Sequence, residues 1–163
     1  MELEDRMQDM KMRQLIIARK DLAMSPGKLA AQVSHASMAY FAHLLRTGGA
    51  DEVISLDDDV MPEVEVLAVM PEDVYLGWLF GSFTKTVCEA RNRAHLLKVC
   101  AMAEELGLRE NEDYFLIRDN CLTELTPEEV DEDGQGRTLT CIGFRPLPDE
   151  VSHQLSRKYH LYV

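Results

Sequence analysis

Gln14-Leu-Ile-Ile-Ala-Arg-Lys20 runs directly into Asp21-Leu-Ala-Met24, then Ser25-Pro-Gly-Lys28-Leu-Ala-Ala-Gln32-Val-Ser-His35-Ala36. Residues 14–20 are an apolar run of strand length, β-branched at Ile16 and Ile17. Ser25 is suited to an N-cap and Pro26 to the first helical position, so a helix starts there. Leu29, Val33, Ala36, Tyr40 and Leu44 then recur at helical spacing until Thr47-Gly48-Gly49 stops the run. A strand that feeds a helix through a short turn is the opening unit of an α/β domain.

The flanking sequence extends that pattern. Residues 1–12 are polar and Met-rich with no apolar face, which predicts a flexible N-terminal arm before a single domain at 13–163. Residues 50–61 form an acidic loop, and 64–70 fit either a strand or a continuation of it. Pro71-Glu72-Asp73 opens a short helix bearing Tyr75, Leu76, Trp78, Leu79 and Phe80, its acidic residues at the positive end. Residues 83–88 read as a strand, and 91–106 as an amphipathic helix with Leu96, Val99, Cys100, Ala103 and Leu106 inward and Gly107 as its cap. Further strands are expected at 114–118 (YFLIR) and 138–143 (TLTCIG), with a polar turn region at 119–133 between them and a last helix at 148–157. This alternation predicts an α/β sandwich whose sheet is mostly parallel and covered on both faces.

With 163 residues, 46% of them apolar, the chain suffices for one core, while collagen-like and wholly disordered classes are excluded. Its longest stretch free of Lys, Arg, Asp, Glu and His, 74–84, is far shorter than the ~20 apolar residues of a membrane span, and the acidic start does not resemble a signal peptide. No membrane association is expected, and a cytoplasmic location is. The net charge is −12, from 17 basic and 29 acidic residues. Nine acidic residues and no Lys or Arg fall in an insertion at about 47–82, and six more with no base fall in 124–133. The rest of the chain is slightly basic, so nucleic acid is not excluded as a partner. Cys88, Cys100, Cys121 and Cys141 form no C-x-x-C pair and read as reduced thiols, and the five scattered histidines have no ligand spacing. Neither a metal nor a cofactor is expected.

Ligands of open α/β sheets bind beyond the carboxyl ends of the strands, which directs attention to the turns after Lys20 and Arg118. After the first turn, Lys28 adds a full positive charge to the partial positive charge of a helix N-terminus, a combination suited to a phosphate or a developing oxyanion. The G-x-x-x-x-G-K-[ST] phosphate loop is absent. Lys28, Gln32 and His35 share one helical stripe, which a solvated lysine and two satisfied polar residues would explain equally well. After the second turn come Asp119, Asn120, Thr123 and Glu124, and Thr138 opens a neighbouring strand. This is either ordinary turn chemistry or a carboxylate with hydroxyls set to orient water. The aromatic residues at 75–83 suit a core or a subunit contact better than base stacking. No Gly-x-Ser-x-Gly elbow or Cys–His signature favours a covalent nucleophile.

Residues 14–36 closely resemble the opening signature of the type-two peptidyl-tRNA hydrolases, the archaeal and eukaryotic kind: a strand, then D-L-x-M-x-x-G-K-x-A-A-Q-x-x-H-A. The resemblance continues through 85–88, 106–108, 117–123, 138–143 and 161–162. It implies a four-stranded mixed sheet with helices on both faces, a three-layer α/β/α sandwich, usually dimeric. The implied reaction is cleavage of the ester joining a peptide to the 3′ ribose of tRNA, with the acceptor end of peptidyl-tRNA as partner. Carried over by position, Lys28, Asp119, Thr123 and Thr138 are the catalytic candidates, and Gly27, Gln32, His35 and Asn120 the substrate-binding ones. The family's Asp-Ala-Gly-Arg-Thr reads Asp119-Asn-Cys-Leu-Thr123 here, without the glycine and the cation. Two other readings keep the fold: a tRNA- or protein-binding module that has lost hydrolysis, and a small-molecule esterase or amidase.

Overall fold

The computed structural model describes residues 11–53 and 63–163. Its first strand, β1 (Met12–Arg19), is buried on both faces, as expected of a central strand. Leu15 and Ile17 enter one apolar cluster, and Ile16 and Ala18 enter another on the opposite side. Beyond β1 come α1 (Pro26–Thr47), β2 (Gly49–Val53), β3 (Glu63–Leu67), a π-helical segment (Val74–Ser82) and β4 (Lys85–Ala90). These are followed by α2 (Arg93–Glu105), β5 (Tyr114–Asp119), β6 (Glu129–Val130), β7 (Gly136–Pro148), α3 (Asp149–Ser156) and β8 (His160–Leu161).

The main sheet has six strands in the order β5-β7-β1-β4-β8, with β6 paired to β7. It is mixed rather than mostly parallel, because only β1 and β4 pair in parallel. Chain passages that include a helix carry β1 to β4 and β4 to β5, so these three strands point the same way. β7 follows β5 through a loop without a crossover helix and runs against both of its main neighbours. The expected four-stranded sheet is its centre, extended by the two-residue strands β6 and β8.

α1 packs on one face, where Ala36 meets Ile16, Ala18 and Cys141. On the other face, α2 and α3 contribute Leu96, Val99, Ala103 and Leu155 to a core with Leu15, Ile17, Leu139, Ile142 and Phe144. The three-layer arrangement is thereby realised. Contact with α1 is close at Gly143, where a Cβ would stand 2.2 Å from the Ala36 carbonyl oxygen. This glycine therefore reflects a close approach and not a strand end, and β7 continues to Pro148 through a register step opposite residues 14–16.

Several boundaries move. Met12, assigned to the arm by sequence, is buried as the first residue of β1. The proposed loop at 50–61 begins instead as β2, which pairs with β3 in an antiparallel ladder, and 54–61 lie outside the described residues. The short aromatic helix is π-helical, capped by the Asp73 carboxylate on the Val74 N–H, and buries Val74 and Trp78 with Met12, Tyr40 and Phe115. Among the described residues no helix is long and apolar enough to cross a membrane.

Candidate active site

Because β1 and β5 point the same way and β7 opposes them, the turn after β1, the end of β5 and the start of β7 converge at one edge of the sheet. Ser25 caps α1 by accepting the Lys28 N–H at 3.3 Å, which sets Lys28 in the first helical turn. From there the Lys28 ammonium lies 2.7 Å from Asp119 Oδ2 and donates to Thr123 Oγ1 at 3.1 Å. One turn further along α1, Gln32 Nε2 donates to the same Asp119 oxygen at 2.8 Å. Asp119 Oδ1 accepts the Cys121 backbone N–H at 2.9 Å. Burial pushes the Asp119 carboxyl up. The Lys28 hydrogen bond, the Cys121 N–H, the Lys28 charge and the Gln32 amide together outweigh burial and hold the carboxyl below its ordinary value. The result is a fixed anion beside a fixed cation, both largely withdrawn from water.

The segment that follows β5 is tied down from several sides. Glu124 accepts the Ser25 N–H at 2.9 Å and thereby joins this loop to the start of α1. Thr138 is fully buried. Its hydroxyl donates to the Thr126 carbonyl at 2.7 Å, accepts the Glu128 N–H at 3.1 Å and contacts Cys121 Sγ. With those bonds its hydroxyl holds the loop in place. The acidic run at 124–133 meets a row of arginines: Arg19 on Glu128, Arg93 and Arg118 on Glu129, and Arg137 on Asp131. Charges that look unbalanced in sequence are thus paired in space.

Of the remaining candidates, Gly27 lies in the first turn of α1, where a Cβ would meet nothing within 4 Å, so space beside Lys28 is open. Asn120 is exposed and accepts a hydrogen bond from the Arg137 side chain through Oδ1. His35 is exposed on α1 and lines a groove of about 400 Å³ between that helix and β5, with Met38, His43, Arg46, Phe115 and Ile117. The four cysteines are free thiols.

A family model described as Peptidyl-tRNA hydrolase PTH2 matches residues 12–162. The chain belongs to this family. Peptidyl-tRNA hydrolases of the curated set align over most of its length. That of Methanopyrus kandleri is 31% identical over 138 residues, 85% of this chain and 87% of the relative. That of Thermococcus sibiricus is 29% identical over 146 residues, 90% and 93% of the two chains. That of Thermococcus onnurineus is 30% identical over 139 residues, 85% and 87%.

Within this peptidyl-tRNA hydrolase the turn that carries Asn120-Cys121-Leu122 is held at a backbone cost. Cys121 adopts φ +54°, a left-handed conformation that favours glycine. Its N–H nevertheless reaches Asp119, so the donor depends on the backbone path and not on the side chain. Two residues at the site escape a reading by motif. Arg19 is 2% exposed and clamps Asp21 and Glu128, and its signal was a cation closing an otherwise apolar strand. Thr140 donates to Gln32 Oε1 at 2.6 Å, and its signal was a second hydroxyl two residues after Thr138 in an apolar strand.

Proposed function

We propose that the Lys28–Asp119–Thr123 cluster is the centre at which this chain hydrolyses the ester between the peptide and the 3′ ribose of tRNA, the reaction of its family. The observation that carries the reading is the Lys28 ammonium, held between Asp119 Oδ2 at 2.7 Å and Thr123 Oγ1 at 3.1 Å at the carboxyl ends of the strands. Water attacks the ester carbonyl directly. As the tetrahedral adduct collapses, the C–O bond to the ribose breaks and one water proton passes to the departing 3′ oxygen to leave a free hydroxyl on the tRNA. The peptide departs as its carboxylate, with the other proton released to solvent. The negative charge that develops on the carbonyl oxygen is met by Lys28, already in place and already shielded from solvent. Asp119 stays anionic, anchors Lys28 and accepts a hydrogen bond from the attacking water, while its depressed pKa makes it a weak proton acceptor. Thr123 orients the ester. Thr138 acts through the loop it holds.

In the same reading, the open space at Gly27 admits the acceptor end of the tRNA and Asn120 contacts it, while the buried Gln32 acts only through its bond to Asp119. The groove beside His35 takes the part of the substrate that leads away from the ester. The substrate puts the chain in the cytoplasm. The exposed Tyr75, Phe80 and Phe83 serve a homodimer contact, which light scattering on the purified protein tests.

Single-turnover hydrolysis of N-acetyl-aminoacyl-tRNA with enzyme in excess tests the assignment. Loss of one preorganised oxyanion donor costs ~3–4 kcal/mol of barrier, so Lys28→Ala is expected to slow hydrolysis by about 10² to 10³. A Lys28→Ala protein as fast as the parent refutes it.

A further inference from the structure

The β5–β7 register runs to Ile117↔Cys141 and then steps to Arg118↔Leu139, which leaves Thr140 without a partner on β5. Such a bulge turns a side chain away from the regular alternation. Thr140 is fully buried, and its hydroxyl lies 2.6 Å from Gln32 Oε1 and 3.1 Å from the Ile117 carbonyl. Gln32, itself 2% exposed, thus spans the gap from the bulge to Asp119, which receives its Nε2 at 2.8 Å.

A side-chain amide presents nearly the same outline in either of two flipped orientations, so its neighbours decide which end points where. The Asp119 carboxylate only accepts hydrogen bonds and selects the Nε2 end. Oε1 must then find a donor in a place water does not reach, and the Thr140 hydroxyl is there at the shorter of its two distances. If that donor were gone, the orientation useful to Asp119 would leave a buried acceptor without a partner, which weakens the preference for it. Asp119 Oδ2 is also the oxygen that holds Lys28, so any freedom in Gln32 passes to the ammonium.

We propose that Thr140 is a positioning residue for hydrolysis: its hydroxyl locks the Gln32 amide with Nε2 toward Asp119 and so fixes the carboxylate and the ammonium that share Oδ2. This inference rests on the site proposed above.

Thr140→Val removes the hydroxyl at nearly constant shape and keeps a β-branched residue in the strand, and Thr140→Ala removes it without the extra methyl. Whichever of the two retains the circular dichroism of the parent is used for kinetics on N-acetyl-aminoacyl-tRNA. The expected result is a kcat lower by about tenfold, the size of one to two kcal/mol of lost positioning, with KM within about twofold. Thr140→Ser, which keeps the donor, is expected within about twofold of the parent. In a Gln32→Met background, deletion of the Thr140 hydroxyl is expected to change kcat by less than about twofold, because the residue it orients has gone. Deletion at parental kcat, failure of serine to restore the rate, or an undiminished effect beside Gln32→Met would each overturn the proposal. Lys28→Ala run in parallel separates the two readings. If it is as fast as the parent, the site itself is wrong; if it is slow while hydroxyl deletion changes nothing, only the role of Thr140 is wrong.

Discussion

Replacement of Arg19 by methionine tests how the loop carrying half of the site is held. Arg19 ends β1 at 2% exposure, and its guanidinium reaches Asp21 at 3.1 and 2.7 Å, Glu128 at 2.5 and 2.8 Å, and the Leu139 carbonyl at 3.0 Å. Hydrogen bonding to Glu128 is the largest influence on its charge and, with Asp21, keeps it more firmly protonated than an ordinary arginine. Methionine fills similar space but makes none of these bonds. Removal of one member of a fully buried pair costs about 3–5 kcal/mol. The Asp21 and Glu128 side chains are 33% and 34% exposed, so water takes back part of their charge and the figure falls to about 2–3 kcal/mol. With a urea dependence of about 1–3 kcal/mol per molar, the midpoint of equilibrium unfolding at pH 7 should drop by about 1 M. Arg19→Lys, a point charge without the fork, should lie between the two. Arg19→Met combined with Glu128→Leu should recover part of the loss, because the abandoned carboxylate is removed as well. An Arg19→Met protein within about 0.5 kcal/mol of the parent would refute the view that this clamp holds the loop.

Three other outcomes follow from the same geometry. Gly143→Ala forces a Cβ against the Ala36 carbonyl, 2.2 Å away in the present packing, and should cost about 3 kcal/mol in urea unfolding by prising α1 from the sheet; a neutral substitution would contradict that contact. Cys121→Gly relieves a left-handed residue worth about 1–2 kcal/mol while adding about 0.5–1 kcal/mol of chain entropy, so stability should stay equal or rise slightly. Hydrolysis should persist, because the donor to Asp119 is the backbone N–H, and an inactive Cys121→Gly protein would instead implicate the thiol. The Asp119 and Glu128 carboxyls both titrate below their ordinary values, Asp119 because its donors outweigh burial and Glu128 chiefly through Arg19. Their contribution to stability is therefore complete above the unfolded values of about 4 and is lost as pH falls through the lower folded ones. Carboxyl carbon NMR should place the Asp119 midpoint below about 3.9, and a midpoint near 5 would contradict the three-donor arrangement.

The order of apolar runs, the Ser25-Pro26 helix start and the helical spacing from Leu29 to Leu44 were legible in the chain, because a strand of period two and a helix of period 3.6 are local properties. Those features, with the D-L-x-M-x-x-G-K run, were enough to nominate Lys28, Gln32, Asp119 and Thr123 and to anticipate three layers. Strand direction was not legible in the apolar pattern, which read as mostly parallel; the mixed sheet was implied only by the family resemblance. Antiparallel β7 between β5 and β1 depends on which edges pair, and that is a matter of long-range packing. Gly143 resembles a stop when only its neighbours in sequence are considered, and it is a close approach once α1 lies across it. Acidic residues at 124–133 look solvated in the chain, yet Arg19 and Arg93 come to Glu128 and Glu129 from distant positions, and Arg118 and Arg137 reach Glu129 and Asp131 across the β5–β7 loop. The bulge that turns Thr140 onto Gln32 likewise exists only when two strands of unequal path are laid side by side. Local pattern thus determined which groups are candidates for the chemistry proposed above, and tertiary structure alone decided which oxygen of Asp119 receives which proton donor, because hydrogen-bond partners are chosen by proximity in space and not along the chain.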